Sequence, residues 1–118
     1  MELVAFVGLD RESWGQISGL VNRIEADRIV LVINKAVVDF PELERCEKVF
    51  VDSSMPLMQL RDDIKSKLNS KLSGEFEVAL SIASGTGKEH MALVSALLAI
   101  PVGIKIAVFT QKGVEFLT

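Results

Sequence analysis

Five short, apolar-rich runs divide this chain: residues 3–7 (LVAFV), 29–33 (IVLVI), 49–51 (VFV), 78–82 (VALSI) and 104–109 (IKIAVF). A strand with one wet face alternates apolar and polar residues, whereas the first two runs do not alternate at all. They suit strands covered on both faces. Between the runs lie apolar residues at helical spacing. One stripe is Trp14, Ile17, Val21 and Ile24; a second is Leu57, Leu60, Ile64, Leu68 and Leu72; a third is Met91, Val94, Leu97 and Leu98. Buried strands alternating with helices predict an α/β fold, a parallel sheet with helices on both faces and right-handed crossovers. After Gln111-Lys112-Gly113, a turn sequence, residues 114–117 predict a sixth strand returning antiparallel. The expectation is one domain over residues 1–118, a three-layer sandwich around a mostly parallel sheet of about six strands.

Local signals refine this outline. Ser13-Trp14-Gly15-Gln16 has the spacing of a capping box at the start of the first helix. Residues 36–48 are the least regular part, and 42–47 suit a short helix. Pro56 stands where a first helical turn tolerates proline, and Gly74 is placed to stop that helix. Arg61, Asp62, Lys65 and Lys67 fall off its apolar stripe and read as a solvated face. In the third helix Ala92, Ser95, Ala96 and Ala99 are small, which permits close approach to a sheet; Pro101 and Gly103 end it.

Composition narrows the function classes. With 118 residues, 49% of them hydrophobic, the chain is able to build a core. The formal net charge of −3 argues against a general polyanion binder, so no duplex nucleic acid is expected and any nucleotide site must be local. Cys46 is the only cysteine and His90 the only histidine. No internal disulfide is available, so a cytoplasmic protein is expected, and a zinc cluster is not. Asp39, Asp52, Asp62 and Asp63 suggest no metal constellation, and no cofactor is expected. No stretch approaches the roughly 20 apolar residues of a membrane span, and no signal peptide is expected.

In open sheets of this kind, ligands bind beyond the carboxyl ends of the strands, where strand order reverses. The usual reversal lies between the first and fourth strands. Here those two ends are the most glycine-marked and polar: Gly8-Leu9-Asp10-Arg11 and Ser84-Gly85-Thr86-Gly87-Lys88. Asn34 and Ser53, at the second and third strand ends, are placed as walls. The second turn suits an anion. Its glycines permit close approach, it opens a helix whose N–H groups and dipole favour phosphate, Ser84 and Thr86 offer hydroxyls, and Lys88 offers charge. The competing reading is a plain tight turn, with Ser84 or Thr86 as a cap and Lys88 in solvent. His90 is either an acid or base facing the pocket or a polar residue satisfied by the preceding loop. Asp10 and Arg11 either contact a ribose or phosphate or pair with neighbours. Trp14 fits the core. Sharper motifs fail. A phosphate loop needs Gly-x4-Gly-Lys-Ser/Thr, but Glu89 follows Gly87-Lys88 and Ile82 stands five residues before Gly87. The dinucleotide fingerprint needs a third glycine where His90 stands, and no Gly-x-Ser-x-Gly elbow is present.

Three stretches, VGLDRES, ALSIASGTGKEHMALVSALL and GIKIAVFTQKGVEFL, resemble the CARF domain, the CRISPR-associated Rossmann-fold sensor of cyclic oligoadenylates. The resemblance extends over nearly the whole chain in element order. That family commonly shows Asn/Asp-x-Ser/Thr-x-Gly-Thr/Ser-Lys/Arg after the fourth strand. In this chain Ser81 and Ala83 depart from it, Ser84-Gly85-Thr86 fits, and Gly87 is inserted before Lys88.

The resemblance implies a Rossmann-like homodimer that binds a ring, tetra-adenylate by expectation, across its two-fold axis, for antiviral defence. It implies ligand contacts from Gly8, Leu9, Asp10, Arg11, Asn34, Ser53, Ser84, Gly85, Thr86, Gly87, Lys88 and Met91. Many members carry an effector after the sensor; with the sequence ending at Thr118, the expectation is a sensor acting through a partner protein or a domain excised from a longer chain. If the domain is a ring nuclease, cleavage is metal-independent, a ribose 2′-hydroxyl attacking the adjacent phosphate. Lys88 and the N–H groups of residues 85–87 would then stabilise charge, and His90 would be a proton donor. The alternatives are a non-catalytic interaction or regulatory subunit and an unrelated small-molecule enzyme on the same kind of sheet.

Overall fold

The computed structural model describes residues 1–73 and 77–118. Gly74, placed above as a helix stop, lies outside the described residues. The strands are β1 (Glu2–Val7), β2 (Arg28–Asn34), β3 (Cys46–Val51), β4 (Glu77–Ser81), β5 (Gly103–Thr110) and β6 (Gly113–Phe116). The helices are α1 (Trp14–Arg23), entered through a 3-10 turn at Arg11–Ser13, α2 (Leu57–Lys71) and α3 (Gly87–Leu98). The sheet runs β3-β2-β1-β4-β5-β6. All its pairings are parallel except β5 with β6.

The uninterrupted apolar runs follow from this topology. Alternate residues of a strand point to opposite faces, and both faces are covered. Val4 and Phe6 join Val30, Val32, Val78 and Leu80 beneath α2 and α3. Leu3, Ala5 and Val7 join Ile29, Leu31 and Ile33 beneath α1. Leu60, Ile64 and Leu68 of α2 are fully buried, each contributing about 1.5–3 kcal/mol through removal from water. Trp14 is core, as its spacing predicts: it is buried, and Phe40 packs edge-on against its ring.

Several local expectations are corrected. Ser13 makes no capping box; it ends the 3-10 turn in helical backbone conformation, and its hydroxyl turns back to donate to the Asp10 carbonyl at 2.7 Å. No helix forms over 42–47. Arg45 takes φ +69°, a left-handed conformation that ends any helical run, and the chain enters β3 directly at Cys46. β3 therefore begins earlier than the run 49–51 suggests. It lies at the sheet's edge, where Cys46, Glu47 and Lys48 pair with Ile29, Val30 and Leu31 without needing full burial. In α3 the buried face is Ala92, Leu93, Ala96 and Leu97, while Met91 and Leu98 are exposed. Among the described residues no helix is long and apolar enough to cross a membrane.

Candidate functional site

Strand β1 pairs with β2 on one side and β4 on the other. The chain leaving β1 turns to α1 on one face of the sheet; that leaving β4 turns to α3 on the other. Such divergence opens a crevice at the strand ends, and the two turns interlock at its base. Ser84 is fully buried. Its hydroxyl accepts the Gly8 N–H at 2.9 Å and donates to Asp10 Oδ1 at 2.9 Å. Asp10 Oδ1 also accepts the Gly85 N–H at 3.0 Å, and Trp14 Nε1 donates to the Gly8 carbonyl at 2.9 Å. The glycines let the turns meet: a Cβ on Gly8 would lie 2.6 Å from Gly85 Cα, and Gly85 itself has φ +109°. Burial raises the Asp10 carboxyl, but the neighbouring Ser13 hydroxyl, the Gly85 N–H and the Ser84 hydroxyl together outweigh it and hold Asp10 below its ordinary value.

The start of α3 completes the site. Thr86 is its N-cap: Oγ1 accepts the Glu89 N–H at 3.2 Å, while Glu89 Oε1 accepts the Thr86 N–H at 2.8 Å. This is the capping box of the chain. Glu89 is only 2% exposed. Its Oε2 accepts from Asn34 Nδ2 at 3.2 Å and from the Ser53 hydroxyl. Lys88 Nζ donates to the Ser53 carbonyl at 2.9 Å. One helical turn thereby ties together the ends of β2 and β3 and the turn after β4. Above it lies an open cleft of about 580 Å³, lined by Leu9, Asp10, Asn34, Ser53, Gly85, Thr86, Lys88 and Glu89.

Seven residues named from the sequence therefore meet in one cleft: Leu9, Asp10, Asn34, Ser53, Gly85, Thr86 and Lys88. The others stand elsewhere. Gly8 and Ser84 form the interlock beneath the cleft. Gly87, the first residue of α3, does not line the cleft. Arg11 lies outside it with its guanidinium 4.9 Å from the centre of the Trp14 ring. His90 Nε2 is 2.7 Å from the Ser84 carbonyl. A carbonyl only accepts, so Nε2 carries the proton and spends it on the loop; of the two readings of His90, the loop-bound one describes its position. Met91 faces away, into a groove between α2 and α3 of about 550 Å³, lined by Leu57, Met58, Arg61, His90, Met91, Val94, Ser95 and Leu98.

Sequence reasoning missed Glu89, which there only breaks the phosphate-loop pattern. The Thr86-x-x-Glu89 spacing of a capping box was the available signal. Its effect on chemistry is large. Of the turn's N–H groups, Gly85's is taken by Asp10 and Thr86's by Glu89. Those of Gly87 and Lys88, in the first turn of α3, have no acceptor within the helix. The cleft holds two carboxylates against one ammonium. Among the described residues no cluster is fit to hold a metal ion. No protein-family model matches the chain, and no curated protein matches it.

Proposed function

We propose that the domain is a nucleotide-sensing module of the CARF kind, receiving a cyclic oligoadenylate at the β1/β4 cleft of a homodimer. One observation carries this reading: seven residues picked out at four separate strand ends line a single cleft at the strand-order reversal. Lys88 supplies the positive charge, and its own backbone N–H supplies a donor at a helix N-terminus. Asn34, Ser53 and Thr86 supply polar walls, and Leu9, 59% exposed, an apolar surface for a base.

Recognition is better supported than ring cleavage. In-line attack by a ribose 2′-hydroxyl needs a group to take its proton and another to protonate the leaving 5′-oxygen. The His90 proton faces Ser84, and both carboxylates already accept hydrogen bonds from the loops. The domain then signals through a partner.

The test is incubation with cyclic tetra-adenylate and cyclic hexa-adenylate without metal, with binding followed by calorimetry and products by chromatography. The expected result is binding of one ring with no linear product. Lys88→Ala, which removes one charge-assisted contact, is expected to weaken binding about tenfold or more. Failure of both rings to bind would overturn the reading.

The α2/α3 groove favours a second one, an interaction subunit without ligand. Met58, Met91 and Leu98 are 66%, 57% and 71% exposed there, an apolar concentration of the kind that marks contact surfaces. This reading predicts a protein complex that no nucleotide alters.

A further inference from the structure

The carboxylate of Glu89 takes the N-cap N–H at the start of α3, beside the first-turn N–H groups that a bound anion would address. Helix N-termini attract anions because their first N–H groups are unsatisfied and the dipole adds partial positive charge. Here Glu89 takes the Thr86 N–H, and Asn34 and Ser53 hold its other oxygen. At 2% exposure, with its two oxygens engaged by Thr86, Asn34 and Ser53, it is a carboxylate fixed in place beneath the cleft rather than a mobile surface group. Asp10 adds a second carboxylate, its Oδ1 anchored by Gly85 and Ser84.

We propose that Glu89 determines the specificity of the cleft by charge, favouring phosphodiesters, with one negative charge per phosphate, over phosphomonoesters and inorganic phosphate, which approach two. The inference rests on the cleft being the nucleotide site. A diester contributes one charge at Lys88 and leaves hydroxyl or amino groups to donate to Asp10. A monoester brings a second charge toward a carboxylate held in place beneath the same cleft. Glu89 acts through the field at Lys88 and the first turn of α3, so it is a specificity-determining residue and makes no bond in a reaction.

The test compares two ligands with the same base and sugar, 3′,5′-cyclic AMP and 5′-AMP, and adds inorganic phosphate. Affinities are read from the amide signals of Gly87 and Lys88 in NMR titrations of the wild-type protein and Glu89→Gln. Glutamine keeps an acceptor for the Thr86 N–H and removes the charge, at the loss of the acceptor that Asn34 addresses. The wild type is expected to prefer the cyclic diester. In Glu89→Gln, affinity for 5′-AMP should rise about tenfold, the size expected for losing one screened charge a few ångströms away, and the preference should shrink or reverse. An unchanged ratio of the two affinities would overturn the proposal. If inorganic phosphate moves these amides in Glu89→Gln far more than in wild type while neither nucleotide does, the charge role stands and the nucleotide reading fails. If no ligand moves them in either protein, both fail. Should Glu89→Gln fold poorly, Glu89→Ala removes the same charge while leaving Thr86 as the N-cap, and the same ratios apply.

Discussion

The three glycines at the cleft look alike in the sequence and do different work. Gly8 permits contact between two backbones: its Cβ would fall 2.6 Å from Gly85 Cα and 2.9 Å from Gly85 N, neither of which is a side-chain tip able to swing aside. Gly85 needs its own φ of +109°, which other residues rarely adopt, and its Cβ would meet Phe6 at 2.9 Å. Gly87 needs neither condition; nothing lies within 4 Å of where its Cβ would be. Gly8→Ala and Gly85→Ala are therefore expected to lose about 1–3 kcal/mol of stability each. Gly87→Ala, at an open helix start, is expected to change stability by less than about 0.5 kcal/mol. Urea unfolding of the three variants checks this ordering. A large loss at Gly87 would show that the additional glycine in this turn is a structural requirement rather than a tolerated insertion.

At the scale of elements, the sequence was most legible where burial is two-sided. Runs such as LVAFV and IVLVI cannot be solvated on either face, so the strands and the helices covering them follow almost directly. It was least legible at β3, whose edge position relaxes the need for apolar residues: Cys46, Glu47 and Lys48 pair in the sheet but carry no buried-strand pattern. The strand-end location of the cleft could be read from glycine and polar clustering. The interior of the site could not, because which oxygen holds which N–H depends on distances between segments some 75 residues apart, as in Asp10 and Gly85. Helix α3 shows the same division. Of its small residues only Ala92 and Ala96 pack into the core, Ser95 being half-buried and Ala99 exposed, and of its larger ones Met91 and Leu98 proved to be on the outside. Ala96 is fully exposed to that packing constraint, being 0% accessible within the cluster beneath α2 and α3. Ala96→Leu adds three carbons where no room remains and is expected to cost about 1–3 kcal/mol. Thermal and urea unfolding measure it, and a neutral result would mean that α3 is free to shift away from the sheet.

Over the whole molecule, two concave surfaces meet along α3. The polar cleft takes Thr86, Lys88 and Glu89 from its first turn; the apolar groove takes His90, Met91, Val94 and Leu98 from the turns that follow. The proposed homodimer needs a contact that places two clefts around one ligand, and the groove is the exposed apolar surface beside the cleft along α3. An isologous contact of this kind presents the same patch from both copies, and the methionines at 58 and 91 suit it, because their flexible side chains repack readily. We propose this groove as the face that the homodimer of the proposed function would use. Met58→Glu combined with Leu98→Glu places like charges on both sides of that face, whereas each side chain in the single chain is already 66% and 71% exposed. The double variant is expected to keep the unfolding midpoint of an isolated chain and to sediment as a monomer where the wild type sediments as a dimer. Cyclic tetra-adenylate binding should fall with it, since each chain would then offer half a site. A wild-type protein that is monomeric at all concentrations, with and without the ring, would remove the two-fold arrangement and leave the groove to a different protein.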